Sequence, residues 1–257
     1  MDQIRCDAAD VADATAPVTD GVGSNRYLSV TPTCLPGSGP GVDSRHSAEL
    51  AVVSGYHRRM PQPSSSTTTV RLGRDDRDAA VAALTVAFAG DPVIRWVLSA
   101  PDAYLRVWGP FIDAFAGDAF ERGTAFGIDA CSAVALWLPP GAESDGEAMQ
   151  ELMSDGSDES IGDDLEGVFE QMEAFHPSFE HWYLPLIGVD PLAQGRGLGS
   201  ALMRHVLAEV DAAGLPSYLE ATSARNRALY ERHGYEPIGL IQHGGSPPMW
   251  PMVRHPG

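Results

Sequence analysis

The spacing of apolar and polar residues between positions 69 and 122 predicts a strand followed by two helices. A short strand is predicted at residues 69–72, and apolar residues from Val81 to Phe88 recur on one face of a helix. Asp75 or Asp76 can cap the start of that helix. A second helical stretch is predicted at about residues 103–122.

The next segments predict a hairpin and then an acidic connection. Residues 125–128 and 133–138 read as two strands joined by a tight turn, ended by Pro-Pro-Gly at 139–141. Residues 143–173 are rich in Asp, Glu, Gly and Ser. This composition favours a solvated acidic loop and helix, although a surface that recruits a cationic substrate would have the same composition.

The last third of the chain predicts alternating strands and helices. Residues 182–189 form an apolar run typical of a buried strand, and a helix follows from about Gly197 to near Gly214. The later elements are a strand at 218–220, a helix at 226–233 and closing strands at 238–241 and 252–253. The pattern as a whole predicts a mixed α/β fold.

The N-terminal quarter differs from the rest of the chain in its composition. Residues 1–67 mix Gly, Pro, Ser, Thr and Asp with few periodic apolar positions, which predicts a disordered tail before one domain at residues 68–257. Met60 stands just before the first periodic segment, so it is a candidate for the natural start of the protein. Under this hypothesis, residues 1–59 are an over-extended reading frame.

The amino-acid composition disfavours or excludes several classes of function. The net charge of −18, with arginine as the basic residue throughout and no lysine, disfavours nucleic-acid binding and excludes a Walker phosphate loop, which needs its lysine.

We expect no membrane partner, because no apolar run approaches the ~20 residues of a membrane span. The acidic start is not a secretory signal, so a cytoplasmic location is expected. Three cysteines, far apart, predict neither a disulfide framework nor a metal site.

The candidate for chemistry is the turn Gln194-Gly195-Arg196-Gly197-Leu198-Gly199, between the buried strand and the amphipathic helix. Glycines lack Cβ atoms, so consecutive backbone N–H groups can face one point at the positive end of a helix and bind a pyrophosphate. Arg196 can add positive charge. A dinucleotide-binding motif is disfavoured, because the third glycine comes one residue early and the turn lies late in the chain.

This segment resembles the acetyl-coenzyme A-binding region of the GNAT acetyltransferase superfamily. The turn matches that family's Gln/Arg-x-x-Gly-x-Gly/Ala loop, and residues 187–191, 218–226 and 230–235 look like the flanking strands and helices. Residues 69–72, Trp182 and the closing residues 249–252 make the chain look most like the puromycin N-acetyltransferase-type branch. The likeness is strong after Trp182 and loose before it.

The resemblance implies a mostly antiparallel sheet, flanked by helices, in which two neighbouring parallel strands splay apart to admit the pantetheine arm of acetyl-coenzyme A. Here those strands would be residues 184–189 and 217–221. The co-substrate-binding residues implied by the resemblance are Ile187, Gly188, Val189, Gln194, Gly195, Arg196, Gly197, Leu198, Gly199, Ser200 and Asn226. A backbone N–H near Ile187 would polarise the thioester carbonyl.

Two residues are candidates for proton transfer. Tyr230 matches the family's general acid, which would protonate the departing thiolate. Glu220 is the candidate base for the amine; its alternative role is a structural carboxylate that bonds to backbone or arginine. His181 is an alternative base, and Trp182 is either a wall of the substrate site or core packing.

Together these observations predict an enzyme that transfers an acetyl group from acetyl-coenzyme A to a primary amine of a small molecule, by direct attack in a ternary complex. Two alternatives stay open. One is an acyl-coenzyme A-binding regulatory module without turnover. The other is an acetyltransferase that acts on a protein or peptide amine.

Overall fold

The structure, a computed structural model, describes residues 68–142 and 144–257. The predicted tail at residues 1–67, with the proposed start at Met60, lies outside the described residues and stays a prediction. The described part has the mixed α/β architecture expected from the sequence: a mostly antiparallel sheet with one parallel pair, flanked by helices.

Eight helices and seven strands are found in the described ranges. The helices are α1 (Arg77–Phe88), α2 (Pro92–Val97), α3 (Pro101–Ala116), α4 (Asp118–Arg122), α5 (Gly146–Gly156), α6 (Gly162–Phe175), α7 (Leu198–Ala213) and α8 (Ala224–Glu231). The strands are β1 (Val70–Arg71), β2 (Ala125–Ile128), β3 (Ala133–Leu138), β4 (Trp182–Val189), β5 (Ser217–Ala221), β6 (Glu236–Pro237) and β7 (Trp250–Arg254). They form one sheet in the order β1-β2-β3-β4-β5-β7-β6.

The hairpin, the buried strand and the long helix after the glycine loop are confirmed. Two predictions were wrong. The stretch at residues 103–122 is two helices that meet at Gly117, and α2 before them was not predicted. Residues 238–241 are not a strand: Ile241 forms an isolated bridge with Met249. At Gly239 a Cβ would lie 2.3 Å from the Phe175 ring, so this segment packs against α6 instead of lengthening the strand.

The sheet separates two hydrophobic clusters. β3 is buried along its whole length, and its side chains alternate between the two sides. Val134, Leu136 and Leu138 face a cluster with α1, α3 and α5, while Ala133, Ala135 and Trp137 face a cluster with α7. This strand therefore fixes both helical layers against the sheet.

A bulge in β4 creates the feature that positions the site. Leu136 pairs with Leu186, but Leu138 pairs with Tyr183, so β4 has one extra residue between those pairs. Pro185 lies in this stretch and has no N–H to donate to a neighbouring strand. β4 and β5 pair in parallel only at their first two residues and then separate. We call the point after Tyr183 and its partner Tyr218 the fork.

The acidic stretch forms two docked helices. Met153 of α5 lies in the cluster with α3, and Val168 of α6 packs with Ile241 and Met249. The Gln171 side chain accepts from the backbone N–H of Gln242 (3.0 Å) and donates to its carbonyl (3.1 Å). The insertion is thus anchored through an apolar face and an amide pair, and its acidic side chains lie mainly on the outer face.

Three smaller findings concern the described residues only. None of their helices is both long enough and apolar enough to cross a membrane. Their His, Cys, Asp and Glu side chains form no group of three or more that could hold a metal ion. Cys131 is a buried free thiol, and Cys6 and Cys34 lie outside the described ranges.

Candidate active site

A cleft of about 740 Å³ lies beside the end of β4, where β4 and β5 have separated. Its walls are the α1–α2 connection, the last residues of β4, the glycine loop with the start of α7, and the inner face of α8. Every co-substrate-binding residue predicted from the sequence lines this cleft except Arg196. Of the two candidates for proton transfer, Tyr230 lines the cleft, whereas Glu220 is not among its lining residues. Residues distant in sequence are therefore brought to one site.

The end of β4 presents backbone groups to the gap. Asp190 N–H donates to the Ser132 carbonyl on the β3 side (2.9 Å), and backbone groups along a strand point alternately to its two edges. Those of Ile187 and Val189 consequently face away from β3. The Val189 carbonyl accepts from the Gln194 side chain on that side (3.3 Å). At Gly188 a Cβ would lie 2.7 Å from Ala87 Cβ, so this glycine lets α1 lie directly on β4.

The glycine loop delivers an uncapped helix N-terminus to the cleft. Gly195 and Gly197 have φ of 76° and 81°, in the left-handed region that favours glycine. Gly197 is the N-cap of α7 and offers no side-chain cap. The N–H groups of Leu198, Gly199 and Ser200 have no intrahelical partners at this end and lie along the cleft wall. These donors and the helix dipole together favour a negatively charged group.

The positive charge at the cleft comes from residues that the sequence analysis did not select. The Arg196 guanidinium is directed away from the cleft and lies 3.8 Å from the Asp129 carboxylate, so its predicted contact with the co-substrate is not supported by its placement. Arg225 and Arg232 line the cleft instead. Arg225 donates to the Gln194 side-chain oxygen (2.9 Å), which ties α8 to the glycine loop.

Helix α8 supplies Asn226 and Tyr230 to the cleft. The Ser223 hydroxyl caps this helix by accepting from the Asn226 N–H (3.2 Å). Tyr230 is 5% exposed and packs against Tyr235, with 6.1 Å between ring centroids. Burial raises the pKa of Tyr230 above its ordinary value, so the phenol keeps its proton at neutral pH. It can therefore donate a proton into the cleft.

Glu220 lies on β5, two residues beyond the fork. Its Oε2 accepts a hydrogen bond from the Tyr183 phenol (2.8 Å). Burial raises the pKa of Glu220 to about 7, although the bond from Tyr183 acts in the opposite direction. Among the described residues, no ion pair joins Glu220 to arginine or histidine. Glu220 is therefore not the arginine-bound structural carboxylate that was the alternative.

The two other candidates from the sequence have different surroundings. His181 Nδ1 lies 2.7 Å from the Phe179 carbonyl, and its ring packs against His176 and Tyr218. The Trp182 indole packs against the cluster on the α7 side, which agrees with core packing.

Asp91 is a cleft residue that the sequence analysis missed. Its Oδ1 accepts from the N–H groups of Val93 and Ile94, which caps α2, and its Oδ2 accepts from the Thr222 hydroxyl after β5. Burial raises the pKa of this carboxyl group, and the Thr222 bond counteracts part of that effect. Asp before Pro92 at a helix start is a capping signal that could have indicated α2.

Comparison with protein families finds a match that covers much of the cleft. Residues 164–237, from α6 to β6, match the sequence model of the acetyltransferase (GNAT) domain. Within residues 164–237, the chain is therefore similar to the GNAT acetyltransferase family. The matched range includes the end of β4, the glycine loop, Glu220 and Tyr230, whereas Asp91 lies outside it.

Individual relatives agree with this assignment. A mycothiol acetyltransferase of Beutenbergia cavernae is 45% identical over 65 residues, which are 24% of this chain and only 22% of that relative. An uncharacterised N-acetyltransferase of Schizosaccharomyces pombe is 24% identical over 203 residues, 72% of this chain and 82% of the relative. A crystal structure of histone acetyltransferase HPA2 and related acetyltransferase from Corynebacterium glutamicum is 29% identical, with a TM-score of 0.53; the match covers 74% of this chain and 96% of that structure.

The cleft has features that suit acetyl-coenzyme A, the co-substrate that GNAT acetyltransferases generally use. The N-terminus of α7 has free donors and no side-chain cap, which suits a pyrophosphate. The open edge of β4 offers the alternating amide groups that the amides of a pantetheine arm can pair with. Arg225 and Arg232, which also line the cleft, add charge that favours phosphate groups.

Proposed function

We propose that this chain is an N-acetyltransferase that transfers an acetyl group from acetyl-coenzyme A to a primary amine of a small molecule, by direct attack in a ternary complex. One observation carries the proposal: the cleft beside the separated strands β4 and β5 has the uncapped N-terminus of α7 in one wall and the buried phenol of Tyr230 in another. An anion-binding end and a proton donor are thus available in a single cleft.

Binding is assigned to groups that line the cleft. The N–H groups of residues 197–200 and the side chains of Arg225 and Arg232 would hold the phosphates. The backbone of Ile187 and Val189 would pair with the pantetheine amides, and the Asn226 side chain would add a polar contact. Gln194 supports the loop through its bonds to Val189 and Arg225.

The chemistry needs one base and one acid. Acetyl-coenzyme A supplies a thioester whose acetyl carbon the amine nitrogen attacks, forming the C–N bond as the C–S bond breaks. Glu220 takes the proton from the ammonium group, directly or through water, because an amine of pKa near 10 is mostly protonated at neutral pH. The Ile187 N–H stabilises charge on the carbonyl oxygen, and Tyr230 gives its proton to the departing sulfur. The nitrogen loses its second proton to water as the C–S bond breaks, and Tyr230 regains a proton from water.

The proposed acceptor is a small-molecule primary amine. We include the puromycin N-acetyltransferase-type branch in the proposal because of the sequence resemblance after Trp182. A small cationic amine also agrees with the net charge of −18.

Two measurements test the proposal. Acetyl-coenzyme A is expected to raise the melting temperature, and a panel of primary amines that includes puromycin is expected to contain at least one compound that releases free coenzyme A thiol. Stabilisation without turnover of any amine would instead favour an acyl-coenzyme A-binding module. Turnover of peptide N-termini or lysine side chains alone would favour a protein acetyltransferase. The absence of any stabilisation by acetyl-coenzyme A would overturn the assignment of the cleft.

A further inference from the structure

The two arms of the fork are joined by one side chain. Tyr183 is the last residue of β4 that pairs with β5, and its phenol reaches across to the Glu220 carboxyl group on the other arm (2.8 Å). The two residues are 37 positions apart in sequence. Because the bulge follows Tyr183 directly, the strand diverges only after this residue has reached β5.

The Tyr183 ring is held on several sides by other rings. Phe115 lies 5.9 Å from it between centroids, His176 lies 5.2 Å away and Tyr218 lies 5.7 Å away. Such edge and tilted contacts between aromatic rings favour one ring orientation. The hydroxyl group is therefore aimed at Glu220 by packing, and a fixed donor needs little further ordering to bond to a carboxylate.

We propose that Tyr183 is a positioning residue for Glu220: its hydroxyl holds the carboxyl group in one orientation beside the gap and stabilises the charged form that accepts the amine proton. The inference rests on the proposed function, in which Glu220 is the base. It goes beyond that function because it assigns to Tyr183, which neither the glycine loop nor the family motifs indicate, control over the pH range in which the base works.

The Tyr183 and Tyr218 phenols both lower the pKa of Glu220, and the effect of Tyr183 is the larger of the two. Burial and the charge of Glu220 raise the pKa of Tyr183 well above its ordinary value, so this phenol donates and does not itself titrate near neutral pH. Burial lowers the pKa of His176, whose ring touches both neighbouring tyrosines, so no positive charge stands there at pH 7. The remaining groups that face this region from β5, α8 and the α1–α2 connection are Tyr218, Tyr230 and Asp91.

The test is the variant Tyr183→Phe, which keeps the ring and removes the hydroxyl. A hydrogen bond to a charged group is worth enough to move a pKa by about one to two units, so Glu220 should titrate that much higher. We would measure this by ¹³C NMR of protein labelled at glutamate side-chain carboxyl groups, with the Glu220 signal assigned by its loss in Glu220→Gln. The acidic limb of kcat/KM for an accepted amine should move upward by the same amount, and the rate at high pH should approach that of the wild type.

Tyr104→Phe is the matched control. Tyr104 is a buried tyrosine whose hydroxyl donates to the Thr85 carbonyl, so the control also loses one buried hydrogen bond, away from Glu220. It should leave the Glu220 titration and the pH profile unchanged. Thermal melts of both variants show whether they remain folded.

The outcomes separate the two proposals. An unshifted Glu220 titration in folded Tyr183→Phe would overturn the inference, as would a rate that falls equally at every pH. If no amine is turned over by the wild type, the proposed function fails, and the NMR titration still decides whether Tyr183 controls the charge of Glu220.

Discussion

Tyr230 is the residue on which the proposed chemistry depends most. Its phenol is buried at the cleft wall and keeps its proton, so Tyr230→Phe removes a proton donor while preserving the ring that packs on Tyr235. General-acid contributions are about 10² to 10⁴ in rate, and we expect kcat to fall by that order. The affinity for acetyl-coenzyme A, measured by calorimetry, should change little.

Tyr235→Phe is the control for this variant, since Tyr235 is also buried and its hydroxyl bonds to Ser217 on β5. It is expected to lose stability but to keep most of its rate. Wild-type turnover by Tyr230→Phe would mean that Tyr230 only packs the core.

Gly199 tests the anion-binding end of the cleft. A Cβ there would lie 3.5 Å from Leu229 and 3.7 Å from Val189, which is ordinary contact, so a single methyl group fits the folded protein. The branched side chain of Gly199→Val would project further, into the space beside the exposed N–H groups of α7. We therefore expect a folded protein whose acetyl-coenzyme A binding is lost in a calorimetric titration.

Ala208→Val, on the exposed side of the same helix, is the control for the cost of a β-branched residue in α7. It should bind acetyl-coenzyme A as the wild type does. Equal affinities for the Gly199→Val and Ala208→Val variants would contradict the assignment of the phosphate site.

At the scale of elements, one hydrogen bond ties together two walls of the cleft. Asp91 caps α2 and also accepts from the Thr222 hydroxyl, which belongs to the connection between β5 and α8. Thr222→Val would leave one oxygen of a buried carboxylate without its donor. We expect a loss of about 1–3 kcal/mol in the free energy of unfolding, measured in urea at pH 7.

Thr222→Ser keeps the hydroxyl and should recover most of that loss. The comparison distinguishes the hydrogen bond from side-chain packing, because serine lacks the methyl group that valine and threonine share. If the serine variant is as unstable as the valine variant, packing of the methyl group and not the bond to Asp91 stabilises this connection.

Elements encoded by local patterns were predictable, and those made by tertiary contacts were not. The glycine loop and α7 follow from a run of neighbouring residues, and every residue assigned there except Arg196 reached the cleft. The pairs Tyr183–Glu220 and Asp91–Thr222 span 37 and 131 positions and depend on the register of β4 against β5 and on the docking of α2. The strand expected at residues 238–241 also depends on tertiary contacts: Gly239 lies against the Phe175 ring of α6, and the segment keeps only an isolated bridge to Met249.

At the scale of the whole molecule, Glu220 should cost stability. Burial raises its pKa in the folded state to about 7, from 4.5 in the absence of such burial. Between these two values the folded protein binds more protons than the unfolded chain, so the free energy of unfolding falls as pH rises through this window. The stabilisation is complete below pH 4.5 and is lost above pH 7.

Glu220→Gln removes this titration but keeps an oxygen that can accept from Tyr183. The variant is therefore expected to be more stable than the wild type at pH 8, by up to about 3 kcal/mol, and the difference should shrink as the pH falls towards 5. Denaturant unfolding at the two pH values measures it. The same variant should lose most of its acetyl transfer, because glutamine cannot accept the amine proton. A gain in stability together with a loss of activity is the combination expected of a buried charge kept for function. A variant less stable than the wild type at pH 8 would show instead that the Glu220 carboxylate holds the two arms of the fork together, and that its role is structural.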